Sequence, residues 1–276
     1  MAGVTVRGES TDFKEGHMRA RQRHGVTAVT WLLVASLLGG CAALGFETPD
    51  SLMKEGQQLY LDKKYDEAIA KFERVLELEN TRWLAYLYIA RCYMAKGGWK
   101  LAISNARLAY QAAPAGENVL ATFAEALLGG ATSALRGGQF TDAISNFVEY
   151  IKLRPTDARG YLGAGQAYIG AGSYADALNA FVRGLQHDGN GALRQDFLKG
   201  LLDGGVQALR QGQAKNAVPL LQEYVQQDPG NAAGFLTLGK ALLQAGYRSD
   251  ALGALGRALQ LNPGQSEATD LIRGLR

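Results

Sequence analysis

The stretch Tyr161-Leu-Gly-Ala164-Gly165-Gln-Ala-Tyr168, followed by Gly172, Tyr174, Ala177 and Phe181, decides the architecture. Tyr161, Ala164, Gly165 and Tyr168 recur at helical spacing, so they form one stripe of a helix whose middle is stripped to the smallest side chains. Gly172 suits a tight turn, because glycine accepts a positive φ at no steric cost. A second helical stripe follows, with Ala177 and Phe181 four residues apart on one face. Small groups on one helix and a large ring on the next predict two antiparallel helices at close approach.

The phrase recurs along the chain. Alanines open the second helix at Ala68, Ala102, Ala143, Ala177, Ala217 and Ala251. Four places later stand Phe72, Ala106, Phe147, Phe181, Leu221 and Leu255, and twelve places later Asn80, Pro114, Pro155, Gly189, Pro229 and Pro263. This pattern resembles the tetratricopeptide repeat, a helix-turn-helix unit of about 34 residues with a small residue at the closest helix contact and a breaker at its end. Leu52, Tyr86, Leu127, Tyr161, Leu201 and Phe235 stand where the family places a tryptophan. The resemblance implies an all-α superhelical solenoid of six repeats, at 49–82, 83–116, 124–157, 158–191, 198–231 and 232–265, closed by an amphipathic capping helix over 266–276.

Successive alanines lie 34, 41, 34, 40 and 34 residues apart, so the repeating unit is a pair of repeats. A shift of 74 residues superposes Leu127, Gly130, Arg136, Gly138, Tyr150 and Pro155 on Leu201, Gly204, Arg210, Gly212, Tyr224 and Pro229. Duplication of a two-repeat cassette explains both facts. The inserted residues, 117–123 and 192–197, hold no proline or glycine and carry Phe123 and Phe197 at equivalent places. They are expected to extend a first helix by nearly two turns, about 10 Å, projecting from one edge of the stack.

Glycine supplies 35 of 276 residues, about 13% against a usual 7% or so. The repeat assigns many of them: Gly56, Gly165, Gly205 and Gly239 to the close contact, and Gly97, Gly138, Gly172, Gly212 and Gly246 to the turn.

The N-terminus reads as an address. Arg19, Arg21 and Arg23 precede residues 26–46, which carry no charge, as in an export signal. That stretch contains Leu38-Gly39-Gly40-Cys41, which resembles the bacterial lipobox, implying cleavage after residue 40 and lipidation of Cys41. Met18 gives a compact basic start and is a candidate initiator. Residues 1–40 are then a signal peptide, 41–50 a lipidated tether and 51–276 the solenoid. Ala42 in place of an aspartate implies, by the same resemblance, the periplasmic face of the outer membrane. An uncleaved membrane helix is the alternative, since 21 uncharged residues can just span a bilayer.

The remaining chemistry is sparse. Net charge is +3, and beyond residue 41 the chain carries 24 basic against 23 acidic residues, which argues against nucleic acid as a partner. Cys41 and Cys92 are the only cysteines, so no disulfide framework exists. Past Cys41 the single histidine is His187, expected as a dipole partner at a helix C-terminus rather than a base. No metal-ligand spacing and no cofactor motif is present, and the Gly160 to Gly165 run follows no strand and precedes no phosphate-binding lysine. An enzyme is not expected.

What remains is surface. By the resemblance, the first helices line a concave groove through Gln57, Tyr60, Arg91, Met94, Thr132, Leu135, Arg136, Gln166, Ile169, Val206, Leu209, Arg210, Lys240 and Gln244. The set is aliphatic and basic without a carboxylate, which suits a protein or peptide partner with apolar anchors and negative charge. The architecture resembles pilotin lipoproteins of type IV pili and scaffolds of barrel assembly and exopolysaccharide export, implying a protein-binding scaffold. An adaptor tethering a periplasmic protease or cell-wall hydrolase is the alternative. Cys41→Ala is expected to release the protein from the membrane, measured by fractionation; continued tight association would favour the uncleaved helix.

Overall fold

The computed structural model describes residues 47–275. Within them lie thirteen α-helices and no strand. They are α1 (Pro49–Leu61), α2 (Tyr65–Leu78), α3 (Trp83–Ala95), α4 (Trp99–Ala112), α5 (Glu117–Arg136), α6 (Phe140–Leu153), α7 (Ala158–Gly170), α8 (Tyr174–His187), α9 (Arg194–Arg210), α10 (Ala214–Gln227), α11 (Ala232–Ala245), α12 (Arg248–Leu261) and α13 (Ser266–Arg273). Twelve form six antiparallel pairs, and every substantial helix contact joins members of one pair or of adjacent pairs. The body from Pro49 onward is therefore a tetratricopeptide-repeat solenoid with no long-range closure.

The expected small-against-large contact holds each pair together. A Cβ placed on Gly56, Gly205 or Gly239 would lie 2.6 Å from a carbon of Phe72, Leu221 or Leu255, and one on Gly165 would overlap the Phe181 ring. Phe72, Phe147, Phe181, Leu221 and Leu255 are fully or almost fully buried, each contributing about 2 to 3 kcal/mol of apolar transfer at most. The turn glycines Gly97, Gly138, Gly172, Gly212 and Gly246 all have positive φ; in the first pair Lys63 takes this place at φ 59°. A second class of close contact joins successive pairs: Gly129 lies against Trp99, Gly163 against Phe147 and Gly204 against Ile169.

First and second helices differ in how they stack. All five successive pairs of first helices are in contact, from α1 with α3 to α9 with α11. Among the second helices only α8 and α10 make a comparable contact. The first helices thus converge and the second helices splay, which makes the face of the first helices the inner one.

The two insertions are unequal. α5 spans 20 residues and α9 17, against 13 in α7. The extension of α9 is therefore about one turn, not nearly two. Its leading residues are spent on a turn: Gly191 has φ 69°, the Ala192 amide donates to Asn190 Oδ1 at 3.1 Å, and the Leu193 amide to Asp188 Oδ2 at 3.1 Å. Neither extension merely projects, because Val119, Phe123 and Phe197 are buried. Phe123 packs on Tyr110, with Arg107 over its ring, and Phe197 meets Phe181 edge-on at 6.2 Å. At the other end α13 and the turn after it seal the core with Ala268, Leu271, Ile272 and Leu275 against Leu236, Leu255 and Ala258.

The cassette duplication shows in one polar joint. Between α6 and α7 the Tyr150 hydroxyl donates to Asp157 Oδ2 at 2.6 Å, while Asp157 Oδ1 accepts from the Arg159 amide at 3.0 Å and so caps α7. At Tyr224 and Asn231, the places 74 residues on, Asn231 Nδ2 donates to the Tyr224 hydroxyl at 2.9 Å, and Asn231 Oδ1 caps the next helix by accepting at 2.9 Å from the Gly234 amide, one residue further along than in the first joint. The Arg159 guanidinium holds the Asp157 carboxyl down at about 2, and burial pushes the Tyr150 phenol up to about 12.

Two outcomes follow from these contacts. Gly165→Leu must displace Phe181 and is expected to cost about 3 kcal/mol, read as a melting temperature lower by roughly 6 to 12 °C; an unchanged value would refute the contact. A carboxyl with a depressed folded pKa stabilises above its unfolded value and loses that contribution as pH falls toward the folded value. Stability should therefore drop between about pH 4 and 2, and Asp157→Asn, which copies the Asn231 joint, should flatten that limb of the melting-temperature profile.

Candidate functional site

The inner face is built from the outward-turned residues of the first helices; of the positions expected to line it, Thr132, Leu135, Val206 and Leu209 are half-buried, and the others divide into three groups. Arg136 and Arg210 end α5 and α9, and both are exposed, as are Gln166 on α7 and Gln244 on α11. Placed in the last helical turn, the two arginines complement the C-terminal end of the helix dipole while their guanidinium groups stay free of any ion pair among the described residues.

A second group is already engaged. Arg91 donates from Nη2 to Thr122 Oγ1 at 3.2 Å and lies over the Tyr88 ring at 5.6 Å, so it ties α3 to the start of α5. Thr122 is the buried polar residue among the described core positions. Lys240 pairs with Glu267 of the capping helix at 2.6 Å. Tyr60 is half-buried between Tyr65 and Tyr88, with ring centroids 5.9 and 5.5 Å away, and burial raises its pKa. Gln57 and Met94 are half-buried, Met94 against the core around Phe123 and Leu127.

Ile169 forms the third group and is a correction. It is 9% exposed and its Cδ1 fills the space over Gly204, so it is a core residue between α7 and α9 rather than a lining one. Gly204 makes the difference, because a side chain there would push Ile169 outward.

The expectation of a face without carboxylates is corrected too. Glu125, exposed on α5, lines a cleft of about 410 Å3 together with Leu128, Thr132, Arg136 and Trp99. Trp99 was missed as a lining residue because it belongs to a second helix. Its signal was in the sequence: aromatics open α2, α4, α6 and α8 at Tyr65, Trp99, Phe140 and Tyr174, and the Trp99 ring lies on Gly129. The face is thus amphoteric at its third repeat, with Glu125 near the middle of α5 and Arg136 at its C-terminal end.

Nothing in the described residues assembles a reaction centre. Burial pushes the Cys92 thiol up to about 11, so at neutral pH it is a protonated, buried group. His187 ends α8 and stacks on Tyr161 at 5.2 Å. No group of three metal-ligating side chains occurs among the described residues, and no helix among them is long and apolar enough to cross a membrane. Cys41 and the N-terminal stretch read as a signal peptide lie outside the described residues.

Models of the tetratricopeptide repeat match residues 54–117, 128–192 and 208–274, well over half of the chain, and the chain belongs to this family. Among curated proteins none matches by sequence. The Naa15/Naa10 complex bound to HypK includes a chain that is 14% identical, with TM-score 0.53 over 91% of this chain and 36% of that one. The MamA protein is 19% identical over 67% of this chain and 94% of its own, with TM-score 0.41. PilW, a type IV pilus biogenesis factor, is 17% identical over 83% of this chain and all of its own, with TM-score 0.36. These likenesses concern the fold.

Proposed function

We propose that this protein is a lipid-anchored scaffold at the periplasmic face of the outer membrane, which binds a protein partner on its inner face in support of assembly or export of an envelope complex. The repeat family supports protein binding as the general role. One observation carries the choice of face: packing uses Arg91, Lys240 and Ile169, yet leaves Arg136, Gln166, Arg210 and Gln244 exposed with no ion pair among the described residues. Half-buried Leu135 and Leu209 stand beside the two arginines, so apolar anchors and cations alternate along this face.

The anchor and the compartment rest on Leu38-Gly39-Gly40-Cys41, the preceding arginines and Ala42. In that setting the solenoid stays near the lipid surface, because the residues between Cys41 and the first helix, 42–48, extend at most about 25 Å. Capturing a partner within reach of the membrane raises its effective concentration there.

Reversing Arg136 and Arg210 together to Glu is expected to weaken partner capture about tenfold or more, while the protein stays folded and its melting temperature falls by only a few degrees as the favourable helix-dipole contribution is lost. The measurement is affinity capture from solubilised membranes followed by identification of the bound proteins. Recovery of secretin, barrel or export components sensitive to the double reversal supports assembly; recovery of a protease or cell-wall hydrolase instead supports the tethering role. Undiminished capture by the reversed protein would refute the basic inner face.

A further inference from the structure

The outer surface holds a cleft with the character of a binding site. Because the second helices splay, α6 and α8 leave a gap of about 420 Å3 above α7. Its floor and walls are apolar, formed by Val148, Ile151, Ala164, Tyr168 and Ala180. Lys152 and Arg183 stand at one end, and Asp176, in the first turn of α8, lies seven residues from Arg183, about 10 Å along the helix.

The two cations lack carboxylate partners. The Arg183 guanidinium lies 5.1 Å from the Tyr161 ring centre and donates from Nη2 to the Tyr161 hydroxyl at 3.3 Å. Neither Arg183 nor Lys152 joins an ion pair of the described residues. The preceding cleft, between α4 and α6, is built differently: Arg107 crosses it to Glu149, Nη2 to Oε2 2.6 Å. Arg183 stands 34 residues after Glu149, at the same place in its repeat, and Val148 stands 41 residues after Arg107. The cleft between α6 and α8 therefore has a valine and a cation where its neighbour has a neutralising pair. Arg257, 74 residues beyond Arg183, repeats the cation in the second cassette.

We propose that this outer cleft is a second docking site, for a short acidic segment of a partner protein in which a carboxylate side chain adjoins large apolar residues. The carboxylate meets Lys152 and Arg183, and the apolar side chains cover Ile151, Ala164 and Tyr168. Asp176 repels a second acid at the far end and fixes the direction of the segment. The proposal rests on the reading of the chain as a protein-binding scaffold and adds a face to it. A body with an inner and an outer site can hold two partners at once.

The test is fluorescence anisotropy of the full chain with a labelled Asp-Phe-Leu-Ser-Leu peptide and its Lys-Phe-Leu-Ser-Leu counterpart. Saturable binding of the acidic peptide alone is expected, weakened about tenfold or more by Lys152→Glu with Arg183→Gln. Asn179→Trp, which fills the cleft from an exposed lining position without changing charge, should also abolish binding. Arg136→Glu with Arg210→Glu should leave it intact. No saturable binding, equal binding of the lysine peptide, or a loss that follows only the inner-face reversal would overturn the outer site. The last of these would still leave the inner-face scaffold standing.

Discussion

Each repeat is held by the short distance between its two helices, and everything else in the solenoid is arranged around that distance. Gly56, Gly165, Gly205 and Gly239 present bare backbone to Phe72, Phe181, Leu221 and Leu255, so a ring or a branched aliphatic group can sit directly on the facing helix. No distant segment can compensate for a loosened pair, because substantial contacts reach no further than the adjacent repeat. Junctions between pairs obey the same rule, with Gly129 under Trp99 and Gly163 under Phe147. Close packing at these points is why interior volume changes are felt locally rather than absorbed.

The unequal stacking of first and second helices then makes two different surfaces. Convergence on the inner side brings neighbouring side chains together, and several polar groups there become internal ties: Arg91 on Thr122, Lys240 on Glu267. Cations at helix ends escape this fate, since Arg136 and Arg210 sit in the last turn, exposed, and their partner is the helix dipole. Splaying on the outer side opens clefts whose character depends on single substitutions, as the contrast between the Arg107 to Glu149 pair and the unpaired Arg183 shows. The Asp157 and Asn231 joints illustrate the converse, where different side chains reproduce one geometry by reversing which group donates the hydrogen bond.

The periodic phrase around Tyr161 was enough to specify helices, turns and the small-against-large contact, because all three depend on residues within one repeat. The turn glycines with positive φ and the buried phenylalanines were readable for the same reason. The shorter extension of α9 was not, since it depends on Asp188 and Asn190 capturing the amides of Leu193 and Ala192. Ile169 was assigned to the inner face by its place in the repeat, and it is buried because Gly204, in the next repeat, leaves room for it.

The sequence by itself determined an all-α solenoid of paired helices and its internal duplication, both properties of local pattern and spacing. Tertiary structure alone decided which exposed side chains remain available. Availability depends on partners contributed by neighbouring repeats, as Thr122 does for Arg91 and Glu267 for Lys240, and those pairings come from how helices converge and splay rather than from any one repeat's residues.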